Sequence, residues 1–363
     1  MIAAGGDVNL GRSLGQRILR DPACDPFRAL APLWAGADLR FANLESQLSD
    51  QNGRTVSPDN PLVFTGPPAG ADVLARARVG LVSTANNHVW DFGFDALCET
   101  LGHLDRVRIA HSGASVEPDG MYRPALLQVK GWSVALFAVT QIWNQGSIRS
   151  HRGRFHVAWA DIERLREPIA RARRENDVVL LSYHGGGEYM REPVRWTRDF
   201  VRAAMALGVD AVLGHHPHVP QGIGWFDGRP VFYSLGNLVF DPNEHHWTTV
   251  GLMAKLTFRR GLPLQVEACP FGFAGYEPAP LSGTEDANRI AAFRRHLTDI
   301  SRGVGGGAVG EPGALGCMTL EPPPASTSNA STTSYYETQR AARNGDSRTP
   351  RALGSPGGGL LRE

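Results

Sequence analysis

Six turns in this chain gather acids, amides and imidazoles. They are Gly6-Asp7-Val8-Asn9, Asn43-Leu44-Glu45-Ser46, Asn86-Asn87-His88 with Asp91 behind it, His184-Gly185-Gly186-Gly187-Glu188, Gly214-His215-His216-Pro217-His218, and Gly236-Asn237 with Asp241 behind it. Asp, Glu and Asn offer hard oxygen donors and His offers an imidazole nitrogen. Such a set suits a divalent ion: Mn, Mg, Ca, Fe or Zn. Taken singly, most of these turns are ordinary: Gly-Asp is common in turns, Asn-Asn-His could cap a loop, and His184 could be a satisfied core histidine. Three imidazoles in the four positions 215–218 seldom serve packing. Six such turns in one chain point to a shared metal site.

The elements that must position these turns are strands. Each turn follows an apolar run: Ile2–Ala4, Asp38–Ala42, Val79–Ser83, Asp177–Tyr183, Val209–Leu213 and Pro230–Ser234. Ligand sites in α/β sheets form outside the carboxyl ends of strands, so the six turns are expected to converge. DVVLLSY, residues 177–183, is near-continuously apolar, as in the middle of a sheet covered on both faces. Helical spacing is read at Ala71–Ala77, Phe94–Arg106, Asp161–Glu175 (with a kink or break at Pro168) and Thr197–Leu207; a short strand is read at Val107–Ala110. Hairpins are read around Lys130-Gly131, Asp227-Gly228 and Gly261. The alternation argues for an α/β sandwich with mixed sheets.

The bulk properties bound the rest. The 363 residues suffice for a sizeable core, and a net charge of +1 gives no field that would recruit nucleic acid or an anionic membrane. Four cysteines, Cys24, Cys98, Cys269 and Cys317, form no CxxC pair and are read as plain thiols. With no apolar run of transmembrane length and no signal peptide, the chain as written reads as cytoplasmic. The first strand looks clipped, so a leader or anchor upstream would make it extracellular or membrane-anchored. Two regions are expected: a domain over 1–302 and a low-complexity, mostly disordered tail over 303–363. Glu244-His245-His246 reads as a rim loop, and the Arg/Glu-rich face of 163–175 as solvated.

The motifs GDVNLGR, NLES, NNHVWDFG, SYHGGGEY, GHHPHVPQG and YSLGNLVFD together resemble CapA-type proteins. These are named for poly-γ-glutamate capsule synthesis and belong to the calcineurin-like metallophosphatase superfamily. The resemblance runs from about Ala3 to Ser301. It implies two mixed β-sheets in a sandwich flanked by helices, and one or two ions. Asp7, Glu45, Asn87, His184, His216 and His218 fall on the superfamily's ligand positions, with Glu45 as the bridging carboxylate. His88 falls on the catalytic His, oriented by Asp91. Asn9 stands where phosphatases of the superfamily have a His ligand, and an amide oxygen there favours harder ions. Arg12, Glu188, His215 and Asn237, with Asn9, are expected to bind substrate or to support the ligands.

Three functions follow from the resemblance. The first is a metal-dependent hydrolase or transferase acting on a peptide or γ-glutamyl polymer through its amide links. The second is a metal-dependent peptide epimerase similar to those of lasso-peptide clusters. The third is a non-catalytic capsule-assembly protein.

Overall fold

The computed structural model describes residues 1–50, 62–241, 245–281, 283–313 and 315–324. Two mixed sheets lie at its centre. In the larger, the strand order is Ala308–Pro312, Met318–Glu321, Gln265–Ala274, Val250–Thr257, Ile2–Val8, Leu39–Leu44, Leu81–Ser83 and Ala110–Ser112. Asn237–Val239 pairs with the first strand, and Glu277–Pro280 with Gln265–Ala274. The smaller sheet runs Ile223–Phe226, Arg229–Phe232, Ala211–His215, Val178–His184, Trp132–Thr140, Ala125–Val129. This is the α/β sandwich expected from the sequence.

Strand alternation explains the layers. Ile2, Ala4, Phe41 and Leu81 of one sheet pack against Leu136, Leu180, Leu213 and Phe232 of the other. Their neighbours Ala3, Ala42 and Val82 face the helices Arg12–Arg20, Gly70–Arg76 and Gly93–Arg106. Val179, Leu181 and Val212 face the helices Ile162–Glu175 and Arg195–Ala206. Both faces of residues 178–183 are therefore buried, which is why that run lacks polar alternation.

Three expectations need correction. The helix Ile162–Glu175 runs unbroken through Pro168. The domain does not stop at residue 302: Met318–Glu321 pairs with Gln265–Ala274, and Ala308–Pro312 pairs with Met318–Glu321. Met318 and Leu320 are buried there while Thr319 and Glu321 are exposed, an alternation that attaches a Gly-rich segment to a sheet edge. Cys269, within Gln265–Ala274, and Cys317, just before Met318–Glu321, form a disulfide, so only Cys24 and Cys98 are thiols. The remainder of the expected tail, 325–363, lies outside the described residues. Among the described residues no helix is long and apolar enough to cross a membrane.

Candidate metal centre

The row of side chains that fills the space between the sheets turns polar at its carboxyl end. Leu39 and Phe41 belong to the inter-sheet core, and Asn43 and Glu45 continue the same row. Val178 and Leu180 lead in this way to Ser182 and His184, and Ala211 and Leu213 lead to His215. On the first strand, Ile2 and Ala4 face the other sheet, and the register then shifts between Ala4 and Asp7. That irregularity exchanges the faces, so Val8 packs toward the helices and Asp7 toward the sheet interface. Asp7 is in register with Asn43 on one side and Asn237 on the other, and His184 with His215.

Two close backbone approaches hold the strand ends together. A Cβ on Gly6 would lie 1.8 Å from the Gly236 carbonyl oxygen, and one on Gly214 would lie 2.0 Å from that of Tyr233. His216 and His218 both hold left-handed backbone, at φ 96° and 58°, which costs a non-glycine residue about 1 kcal/mol or more and is seen where side chains are aimed at a function.

The result is a tight cluster. Nε2 of His184 is 2.8 Å from Oδ1 of Asn87 and 3.5 Å from Oε1 of Glu45. Nε2 of His218 is 3.8 Å from the same Glu45 oxygen, and Nδ1 is 3.4 Å from Oδ2 of Asp7. Asp7, Glu45 and His184 form one group whose donor atoms lie within 4.8 Å of each other, and Glu45, His216 and His218 form a second. Glu45 belongs to both. It is fully buried, and neither carboxylate oxygen has a hydrogen-bond partner. A buried carboxylate left so is strongly unfavourable unless something positive satisfies it. The donor set, with Asn87 beside it, therefore fits a divalent ion shared through Glu45.

Charges follow from this packing. Burial pushes the Asp7 carboxyl up, but His215 and His218 outweigh it and hold the group well below the usual carboxylate range. Burial raises Glu45 well above that range, and the charge of Asp7 adds to the effect. Burial lowers His184 well below the ordinary imidazole value, and lowers His216 to about 3, with His218 contributing. Burial also lowers His218, yet its contact with Asp7 wins and the net shift is upward.

His88 belongs to neither donor group. It lines a cleft of about 510 Å³ together with Arg12, Asn87, Asp91, Glu188, His218 and Asn237. Nδ1 of His88 donates to Oδ2 of Asp91 at 2.6 Å, which leaves Nε2 of the neutral ring as the edge that accepts a proton. Phe64, which the sequence did not single out, stacks on the His88 ring at 3.8 Å, and its N–H donates to Oδ2 of Asp91. It is delivered by the two-stranded pairing of Gln47–Leu48 with Thr65–Gly66. Gln145 donates to the other Asp91 oxygen.

Two expected residues do not face the cleft. Oδ1 of Asn9 accepts the Gly11 N–H at 2.9 Å and so shapes the turn into helix Arg12–Arg20. His215 lies under Asp7, with Nδ1 3.3 Å from Oδ1, packed against Phe41. Asn237 both lines the cleft and accepts from Nδ1 of His218 at 2.9 Å. Asn43 was missed as a site residue: its Nδ2 donates to Asp7 at 2.8 Å and lies 3.2 Å from Nδ1 of His184, tying the two sheets. His245 stacks on Tyr189 at the cleft wall, consistent with a rim position, while Glu244 lies outside the described residues.

Residues 1–242 match the family described as "Bacterial capsule synthesis protein PGA_cap", and the chain belongs to that family. It is 26% identical over 299 residues to the PGA biosynthesis protein CapA of Bacillus subtilis (strain 168), covering 82% of this chain and 77% of that one. It is 24% identical over 307 residues to the capsule biosynthesis protein CapA of Bacillus anthracis, covering 82% and 73%. Among solved structures, a hypothetical protein from Thermus thermophilus aligns over 77% of this chain and 95% of its own, with TM-score 0.41 and 19% identity.

Proposed function

We propose that this chain is a metal-dependent hydrolase that cleaves amide links of a γ-glutamyl polymer. The observation that carries this reading is the buried Glu45 carboxylate, whose oxygens accept no hydrogen bond, set among the imidazoles of His184, His216 and His218 beneath a cleft that His88 lines. The PGA biosynthesis protein CapA of Bacillus subtilis supplies the substrate class. Asp7, Glu45, Asn87, His184, His216 and His218 would hold the ion, which when bound supplies Lewis acidity toward a carbonyl or water. His88 does the proton work. As the water oxygen bonds to the carbonyl carbon and the C–N bond breaks, His88 passes the proton released by water to the leaving amine. Asp91 holds the ring in the needed tautomer and stabilises its cationic form. Phe64 and Gln145 fix Asp91 in turn.

The Cys269–Cys317 disulfide favours an oxidising compartment over the cytoplasm, since such bonds persist where thiols are not kept reduced.

The test is to incubate the Mn2+-loaded protein with γ-linked polyglutamate and follow chain length and free amine. Shortening with a matching rise in amine supports the hydrolase. Unchanged length with deuterium entering Cα from heavy water would replace it with the epimerase. Neither change, together with a His88→Ala variant that still supports polymer formation in cells, would replace it with the non-catalytic role.

A further inference from the structure

Two charged side chains in the cleft are without partners among the described residues. Arg12 lines it, 5.8 Å from the Phe64 ring, and its guanidinium makes no hydrogen bond or ion pair among those residues. Some surface arginines of this chain, such as Arg17, Arg106, Arg164 and Arg173, reach a carboxylate, whereas Arg20, Arg78 and Arg108 are exposed and reach none among the described residues; Arg12 differs from the latter in lining the cleft. Arg12 also holds φ 54°, a left-handed conformation uncommon for a non-glycine residue. Of the carboxylates lining the cleft, Asp91 is taken by His88, Phe64 and Gln145, and Asp241 by the Ser13 hydroxyl. Glu188 remains exposed, with no hydrogen bond or ion pair among the described residues.

Both line the one cleft of about 510 Å³ that His88 lines. Arg12 borders Phe64, which covers His88. Glu188 follows the His184 turn, and its charge is felt at Glu45 and His218. A single anionic ligand such as a phosphomonoester would satisfy Arg12 and leave Glu188 facing another negative charge. A zwitterion satisfies both.

We propose that Arg12 and Glu188 recognise the amino end of the substrate, Arg12 taking a free carboxylate and Glu188 a free ammonium on the same carbon. This rests on the γ-glutamyl reading above and adds a direction to it. In a γ-linked chain every residue keeps its α-carboxylate, but only the amino-terminal residue keeps its ammonium. Arg12 therefore grips a γ-linked residue anywhere along the chain, and Glu188 singles out the end, so cleavage proceeds residue by residue from the amino terminus. An α-linked chain has its α-carboxyl carbon in the amide and offers Arg12 no such group.

The experiment is calorimetric binding of γ-linked tetraglutamate, its N-acetylated form and α-linked tetraglutamate to the Mn2+-loaded full chain. Metal content and melting temperature are checked on every variant. The γ-linked tetramer should bind wild type better than the α-linked one. Arg12→Gln should weaken it about 10- to 100-fold, the range of a charge-assisted hydrogen bond. N-acetylation should weaken wild type by up to about 5-fold, as for an exposed ion pair, and should not affect Glu188→Gln. Equal binding to wild type and Arg12→Gln overturns the proposal. So does an acetylation effect that survives in Glu188→Gln, or no measurable binding to wild type. Binding differences as expected with no cleavage would remove the hydrolase reading alone; cleavage with indifferent binding would remove the end-recognition alone.

Discussion

Replacing Glu45 by leucine should stabilise the metal-free protein while abolishing its response to metal. Glu45 is fully buried and neither of its oxygens accepts a hydrogen bond. A buried polar group without a partner costs about 1–3 kcal/mol, and more if charged. Leucine is of similar size and removes both oxygens, so the chelator-treated variant should gain about 1–3 kcal/mol. For a domain of this size that is roughly 1.5–4.5 °C in Tm. With Mn2+ at 100 times its Kd the wild type should gain about 2.7 kcal/mol by mass action, and the variant nothing. The assay is a pair of thermal melts, with EDTA and with Mn2+, on both proteins. A fall in the Tm of the EDTA-treated variant by several degrees would refute the reasoning, because it would mean that Glu45 is satisfied within the protein itself.

Other outcomes follow from the same packing. His88→Ala should keep metal content and Tm but lose turnover by about 10²–10⁴-fold, the usual contribution of a general acid–base group, checked by measuring all three on one preparation. Asp91→Asn should lose less turnover. Metal uptake should release protons, because burial and Asp7 hold Glu45 above its ordinary value and Asp7 holds His218 above its own. Both groups are protonated in the metal-free site at low pH and must lose the proton to bind, so affinity should rise with pH until both have titrated, and calorimetry in buffers of differing ionisation enthalpy counts the protons. Truncation after Pro324 should leave Tm unchanged, whereas truncation after Arg302 exposes the sheet edge that Met318 and Leu320 cover, losing about 1.5–3 kcal/mol for each. Unreduced, denatured protein should titrate two thiols, Cys24 and Cys98, and reduced protein four.

The strand-to-turn order of the donors was legible because each donor follows an apolar run. The convergence of Asp7, Glu45, Asn87, His184, His216 and His218 needs the parallel strands of each sheet to share one end and the two sheets to pack with those ends together. What local pattern did not give was parity. His215 and His216 look equivalent in sequence, yet His215 continues the Ala211–Leu213 row beneath Asp7. His216 instead turns to the donor group through its left-handed backbone. Asn43 was within reach: it stands two residues before Glu45 on a strand, hence on the same face. Phe64 was not, since only the pairing of Gln47–Leu48 with Thr65–Gly66 brings it to His88. The helix Gly283–Arg302 carried a visible signal in Ile290, Phe293, Leu297 and Ile300, all buried. The Gly-rich composition after residue 302 hid the alternation of Met318 and Leu320, and with it the partner of Cys269. Cysteine spacing alone cannot reveal a bridge between strands 48 residues apart.

The most direct test is a crystal structure of the Mn2+-soaked protein with an anomalous difference map. The expected result is a peak bonded to Glu45, with His184 and Asn87 or His216 and His218 among its other ligands, and with His88 unbonded at the cleft. A map with no peak at Glu45, or one in which His88 is itself a ligand, would contradict both the metal centre and the proton-transfer role drawn from it.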